Sequence, residues 1–220
     1  MQINNKNPTA VAFACVNPFQ ENTYILYDDS RECVLIDPGC YSVAEQQQIA
    51  VFIHQNKLTP TRCLLTHTHL DHIFGCAWVA ETYGLLPEMH EGELELYHHA
   101  PASAERFGVP FLGALPQPAV PFLVTNEPIS FGNTRLEIRF VPGHSPASIC
   151  FYCAESGFVI AGDTLFAGSI GRTDLPGGNH NLLLQAIEKQ LFTLPDATVV
   201  YSGHGSPTTI GREQTSNPYF

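Results

Sequence analysis

Residues 66 to 72 read THTHLDH, which places three imidazoles and a carboxylate within six positions, directly after the apolar run CLL and directly before a helical pattern. Such a cluster gains little at a strand end unless a cation sits among the side chains, because crowded imidazoles neither pack nor pair well. If the segment stays extended, His67 and His69 point to one side. As the chain turns into the helix, Asp71 and His72 reach a neighbouring point. The spacing therefore suits two adjacent metal ions. Any fold adopted by the chain must leave this strand end open and bring further ligands to it.

Three single residues meet that need. His144 in VPGHSP, Asp163 in IAGDTLF and His204 in YSGHGS each end an apolar stretch and are each flanked by glycine. Glycine lets the backbone turn sharply and approach a site closely, and strand ends are where α/β architectures place function. With the cluster they give five histidines and two aspartates. Histidines 54, 90, 98, 99 and 180 lack such a setting and are expected at the surface, with His98 and His99 within reach of a substrate.

The surrounding pattern predicts strands over Ala10 to Val16, Thr23 to Tyr27, Cys33 to Ile36, Arg62 to Leu65, Thr134 to Val141, Ser148 to Cys153, Phe158 to Ala161 and Thr198 to Tyr201. Helices are expected over Val43 to Lys57, Ile73 to Tyr83, Glu91 to His99 and Asn181 to Leu191. Between positions 85 and 128 the pattern loosens into a proline-rich stretch that reads as a lobe or lid. Two strand-rich halves, each with helices, make an α/β or α+β sandwich of two packed sheets. With 220 residues the chain is expected to form one domain, residues 1 to 220.

Composition narrows the function. The net charge of −11, from 21 acidic against 10 basic residues, repels phosphate backbones and excludes nucleic acid as the expected partner. No apolar run approaches the roughly 20 residues that cross a bilayer, and the short Ala10 to Val16 patch reads as a strand rather than a signal core. Seven cysteines, an odd number scattered through apolar stretches, fit a reducing compartment, so a cytoplasmic location is expected. Cys150 and Cys153 lie in an alternating run where residues three apart face opposite sides, which favours buried thiols over a redox or metal pair.

The motifs HxHxDH, PGH, GDT and GHG, in that order, resemble the signature of the metallo-β-lactamase-fold hydrolases, and closest the short glyoxalase II-like, or hydroxyacylglutathione hydrolase-like, branch. The resemblance runs from LIDPG at Leu35 to Gly39 through the tail TIGREQTSNPYF. It implies an αββα sandwich of two mixed sheets with the site at their shared edge. By motif position it implies His67, His69 and His144 on a first divalent metal ion, Asp71, His72 and His204 on a second, and Asp163 bridging both. Asp71 and Asp163 then count as catalytic as well as ligating. Zinc is the expected metal, with iron and manganese also suited to imidazole and carboxylate.

Asp37 resembles the family aspartate beneath the metal site, where it would fix a histidine tautomer; a turn or cap role before Pro38 is the alternative. Arg172 and Asp174, in GSIGRTDLPGG, either brace that loop as a buried pair or face substrate, with bracing favoured. Tyr24, Phe107, Phe111 and Phe166 line an acyl pocket or belong to the core.

Two ions about 3.5 to 4 Å apart lower the pKa of a shared water from about 15.7 towards 7 and give a bridging hydroxide at neutral pH. A thioester suits such a site, since a thiolate of parent pKa about 8.5 leaves without a strong general acid. The expected activity is hydrolysis of a small-molecule acyl-thioester, S-lactoylglutathione or a related conjugate, by a monomer or homodimer. The alternatives are a mononuclear-iron persulfide dioxygenase and a lactonase. A β-lactam substrate is disfavoured because His72 and Asp163 stand where β-lactamases commonly carry arginine or cysteine. Redox diiron relatives are disfavoured because position 69 is His rather than Glu. Only 16 residues follow His204, so the C-terminal glutathione-binding helical domain of full-length glyoxalase II is expected to be missing. Ala147 stands where relatives usually have glycine.

Overall fold

Strand alternation sorts the apolar residues into two rows, and the computed structural model, which describes residues 1–4, 8–111, 113–125 and 127–220, shows where each row goes. The first sheet is built from β1 (Gln2–Asn4), β2 (Ala10–Val16), β3 (Glu21–Tyr27), β4 (Glu32–Ile36), β5 (Thr59–Leu64) and β6 (Pro87–Glu88), in that spatial order. It is antiparallel from β1 to β4 and parallel from β4 to β6. The second sheet contains β7 (Ile129–Phe131), β8 (Thr134–Phe140), β9 (Ile149–Cys153), β10 (Phe158–Gly162), β13 (Val199–Ser202) and β14 (Thr208–Thr209). Its order is β14-β13-β10-β9-β8-β7, with β10 and β13 parallel. A hairpin of β11 (Leu165–Phe166) and β12 (Ser169–Ile170) stands apart.

Val11, Phe13, Val34 and Ile36 of the first sheet meet Ile149, Phe151, Phe158 and Ile160 of the second in the central core. The alternate rows face outward onto helices. Ala12, Ala14, Cys33 and Leu35 pack under Ile49, Phe52 and Ile53 of α1 (Val43–Gln55) and Val79 of α3 (Cys76–Tyr83). Cys150, Val159 and Ala161 pack under Leu183, Ala186 and Ile187 of α5 (His180–Gln190) and Ile210 of α6 (Ile210–Ser216). The result is the four-layer metallo-β-lactamase fold, helices outside two mixed sheets. As the alternation required, Cys150 and Cys153 point to opposite faces, and all seven cysteines are free. Among the described residues no helix is long and apolar enough to cross a membrane.

The structure also departs from the sequence reading. The helix expected over Ile73 to Tyr83 starts earlier, as α2 (Leu70–Ile73), and breaks at Gly75 before α3. Gly75 presses on the 38–40 turn: its N–H donates to Pro38 O at 2.7 Å, and a Cβ there would lie 2.4 Å from Cys40 Sγ. Within 85–128, a 3₁₀ turn at Glu91–Glu93 leads into α4 (Leu94–Arg106), which runs through Pro101 and outlasts the expected helix. Tyr97 and Ala100 hold α4 in a small core with Leu65, Ile73 and Met89. Finally, the polar leader contributes an edge strand, β1.

Candidate metal centre

Parallel pairing sets the ligand positions. Ile36 lies opposite Leu64, so Asp37 and the THTHLDH segment leave the first sheet at one edge. Gly162 lies opposite Ser202, so Asp163 and His204 leave the second sheet side by side. Backbone bonds join the two edges: Ile149 N–H donates to Thr66 O at 2.9 Å, and Asn22 N–H to Gly203 O at 2.7 Å. Gly203 is required for close approach, since a Cβ there would lie 2.1 Å from Asp163 Oδ1 and 2.7 Å from His72 Cε1.

The sequence-predicted ligands converge as two groups. In the first, His144 Nε2 lies 2.8 Å from His69 Nδ1 and 3.2 Å from His67 Nε2. In the second, Asp71, His72 and His204 come together, with His204 Nε2 3.2 Å from Asp71 Oδ2. Asp163 stands between them. Its Oδ1 lies 3.4 Å from His72 Nε2, and its Oδ2 lies 3.6 Å from His144 Nε2 and 3.5 Å from His204 Nε2. His72 Nε2 and Asp163 Oδ1 are buried without a hydrogen-bond partner among the described residues.

Electrostatics of the metal-free chain point the same way. Burial, reinforced by the neighbouring imidazoles, holds His67 well below the usual histidine range and His69 at about 3. Both imidazoles are therefore uncharged at neutral pH, each with a nitrogen beside His144 Nε2. For His72, burial opposes the charge, but Asp163 and Asp71 outweigh it and raise the pKa; for His204, burial again opposes, and Asp163 and Asp71 bring it up to about 10. Neutral His67 and His69, together with His72 and His204 crowded by Asp71 and Asp163, are a donor set that fits divalent cations.

The outward nitrogens have partners of their own. His72 Nδ1 lies 3.0 Å from Asp37 Oδ2, and Asp37 also accepts from Thr66 N (2.7 Å) and Thr66 Oγ1 (2.6 Å). Asp37 is buried, with φ of 48°. Its carboxylate thus faces both His72 and the start of the candidate ligand segment. His144 Nδ1 lies 2.8 Å from Arg172 O, and His204 Nδ1 lies 3.1 Å from Gln20 O. Arg172 and Asp174 do form a bidentate pair, both contacts 2.7 Å, but it is exposed rather than buried. A two-residue separation on a surface loop lets the fork form without covering it. The loop's backbone is what reaches a candidate ligand.

Sequence reasoning missed Glu93. It is fully buried and accepts four hydrogen bonds: from Thr68 N (3.0 Å), Thr68 Oγ1 (3.1 Å), Ser145 Oγ (2.6 Å) and Ala147 N (2.7 Å). One carboxylate thus ties the His67–His69 segment to the His144 loop. Glu91 and Glu95 beside it are exposed, so no local signal marked the middle acid. Gly92 makes room for Ala147, since a Cβ at 92 would lie 2.6 Å from Ala147 Cβ.

Above the cluster opens a cavity of about 560 Å³. Phe19, Leu96, Ala100, Phe107, Phe166 and Ile170 form its apolar walls, His69, Asp71, His144, Asp163 and His204 its floor, and Arg106 and Arg172 are its cations. Phe107 and Phe166 therefore line the pocket, whereas Tyr24 is in the central core and Phe111 packs on the small core under α4. His98 and His99 are exposed and do not line the cavity.

Known proteins are similar to this chain in sequence and fold. The model of the metallo-beta-lactamase superfamily matches residues 16–204. A probable metallo-hydrolase, YqgX of Bacillus subtilis, is 39% identical over 93% of this chain and 94% of its own length. The hydroxyacylglutathione hydrolase GloC of Haemophilus influenzae is 35% identical over the same shares of the two chains. A crystal structure of BLEG-1, a B3 metallo-beta-lactamase, is 36% identical and superposes with a TM-score of 0.86, covering 95% of this chain and 98% of its own. The chain belongs to the metallo-beta-lactamase superfamily, as one of its metal-dependent hydrolases.

Proposed function

We propose that this chain is a single-domain, dinuclear thioester hydrolase acting on small acyl-thioesters of the S-lactoylglutathione type. The observation that carries this reading is Asp163, whose two oxygens face different ligand groups, Oδ1 towards His72 and Oδ2 towards His144 and His204. In this reading His67, His69 and His144 hold one divalent ion, Asp71, His72 and His204 hold a second, and Asp163 touches both. Zinc is the proposed metal. When bound, such ions supply a hydroxide nucleophile at neutral pH and polarise the substrate carbonyl.

The chain's own groups prepare the site. Asp37, Arg172 O and Gln20 O accept from the outward N–H of His72, His144 and His204, and so turn the three Nε2 lone pairs inward. Glu93 fixes the spacing between the two loops that supply the first three histidines. The apolar cavity shields the acyl group from bulk water and strengthens every charge interaction at its floor. The similarity to GloC supports the thioester, and the seven free cysteines fit a reducing, cytoplasmic setting.

The similarity to BLEG-1 makes a β-lactam the competing substrate. The test is turnover of S-lactoylglutathione by metal-loaded protein beside a β-lactam, a lactone and, with oxygen uptake recorded, a persulfide. Thioester hydrolysis exceeding the other three by at least tenfold is expected. Preferred turnover of any of the others overturns the assignment.

A further inference from the structure

Ten lysines and arginines serve the whole chain, and two of the arginines line the cavity above the candidate metal centre. They are not equivalent. Arg172 is spoken for by its bidentate pair with Asp174, which neutralises it. The Arg106 guanidinium has no hydrogen bond, ion pair or ring contact with any described residue.

Arg106 is placed by α4. Leu96, Ala100, Ser103 and Phe107 recur at helical spacing and form one wall of the cavity. Arg106 stands at the edge of that wall, beside Phe107, at an exposed position. An arginine there lays its stem on apolar surface and keeps its guanidinium in water, free for a planar anion. The two carboxylates that line the cavity, Asp71 and Asp163, belong to the floor, where they face histidines.

Resting on the thioester reading, we propose that Arg106 is the specificity-determining residue of this site, selecting substrates that carry a carboxylate away from the scissile carbonyl. A carboxylate is the matching chemistry because it accepts two parallel N–H bonds from one guanidinium. The loaded floor also attracts anions, so a preference for anionic substrate in the native protein would not by itself identify Arg106. A cycle of variant against substrate charge separates the two contributions.

The experiment compares native protein with Arg106→Met, which keeps the apolar stem, and Arg106→Lys. Each is assayed with S-lactoylglutathione and with the same thioester whose glutathione carboxylates are esterified. Affinity for S-hexylglutathione, a thioether that cannot be hydrolysed, is measured on the same samples by calorimetry. In Arg106→Met, kcat/KM for the anionic thioester should fall about tenfold through KM, while the esterified one changes less than twofold. S-hexylglutathione affinity should fall by the same factor, and Arg106→Lys should recover part of both. The native preference should weaken with salt more steeply than that of Arg106→Met. Equal losses on both thioesters, or no loss on either, overturn the proposal. If the native protein binds the thioether through Arg106 yet hydrolyses no thioester, the thioester reading fails and the anion site stands.

Discussion

Removing Glu93 tests how far the candidate ligands depend on a residue that touches none of them. In Glu93→Ala the two hydroxyl donors keep other acceptors: Thr68 Oγ1 lies 3.1 Å from Glu93 O, and Ser145 Oγ lies 2.5 Å from Ser148 Oγ. The backbone N–H groups of Thr68 and Ala147 have no such alternative, and both residues are buried. Each orphaned buried donor costs about 1–3 kcal/mol, so the variant should lose roughly 2–6 kcal/mol. At about 2–4 °C per kcal/mol for a chain of this size, Tm of the metal-free protein should fall by roughly 4–24 °C. Glu93→Gln keeps one acceptor and turns an amide N–H₂ towards donors, so an intermediate loss is expected. Because Glu93 spans the two loops bearing His67, His69 and His144, metal affinity measured against a chelator should fall about 10- to 100-fold in both variants. Native Tm and native affinity in Glu93→Ala would refute the reasoning.

Further outcomes follow from the same geometry. Asp163→Ala should retain the fold by circular dichroism, bind at most one metal and lose thioester turnover; unchanged turnover would remove Asp163 from the site. Asp37→Asn replaces the acceptor facing His72 Nδ1, and titration against a chelator should show about 10- to 100-fold weaker binding of one ion. Stripping the metal with a chelator should lower Tm by roughly 5–11 °C relative to protein held at about 100 Kd of metal, a linkage of about 2.7 kcal/mol. Burial opposes ionisation of Asp28, but hydrogen bonds from Ser30, Thr134 and Asn133 outweigh it and hold its carboxyl below the usual range. That stability is complete above the unfolded value near ~3.9 and is lost as pH falls through the lower folded value, so Asp28→Asn should flatten the acid limb of the stability profile below about pH 4.

What was legible in the sequence was what alternation and ligand spacing encode. Ile149, Phe151 and Cys153 face one way and Cys150 the other, as a period of two requires, and the central strands fell within a few residues of their bounds. All seven predicted ligand side chains meet; the THTHLDH spacing and the glycine beside His144, Asp163 and His204 at strand ends are local patterns that a sequence shows. The rest depends on partners distant in the chain. Glu93 is indistinguishable from exposed Glu91 and Glu95 until Thr68 and Ala147 close around it. Edge strands β1, β6, β7 and β14 have two or three residues each, too few for a period to show. Pro101 hid the second half of α4, which buried Tyr97, Ala100 and Ala104 keep in place. The Arg172–Asp174 pair was foreseen as a contact but not as an exposed one, since sequence separation fixes who can touch and not what covers them.

The central claim is that two metal ions, joined through Asp163, drive thioester hydrolysis. Its most direct test is metal analysis of protein purified without added metal, with S-lactoylglutathione turnover measured on the same sample. The account predicts close to two divalent ions per chain and activity that rises with occupancy. One iron per chain, with oxygen uptake on a persulfide and no thioester hydrolysis, would contradict it.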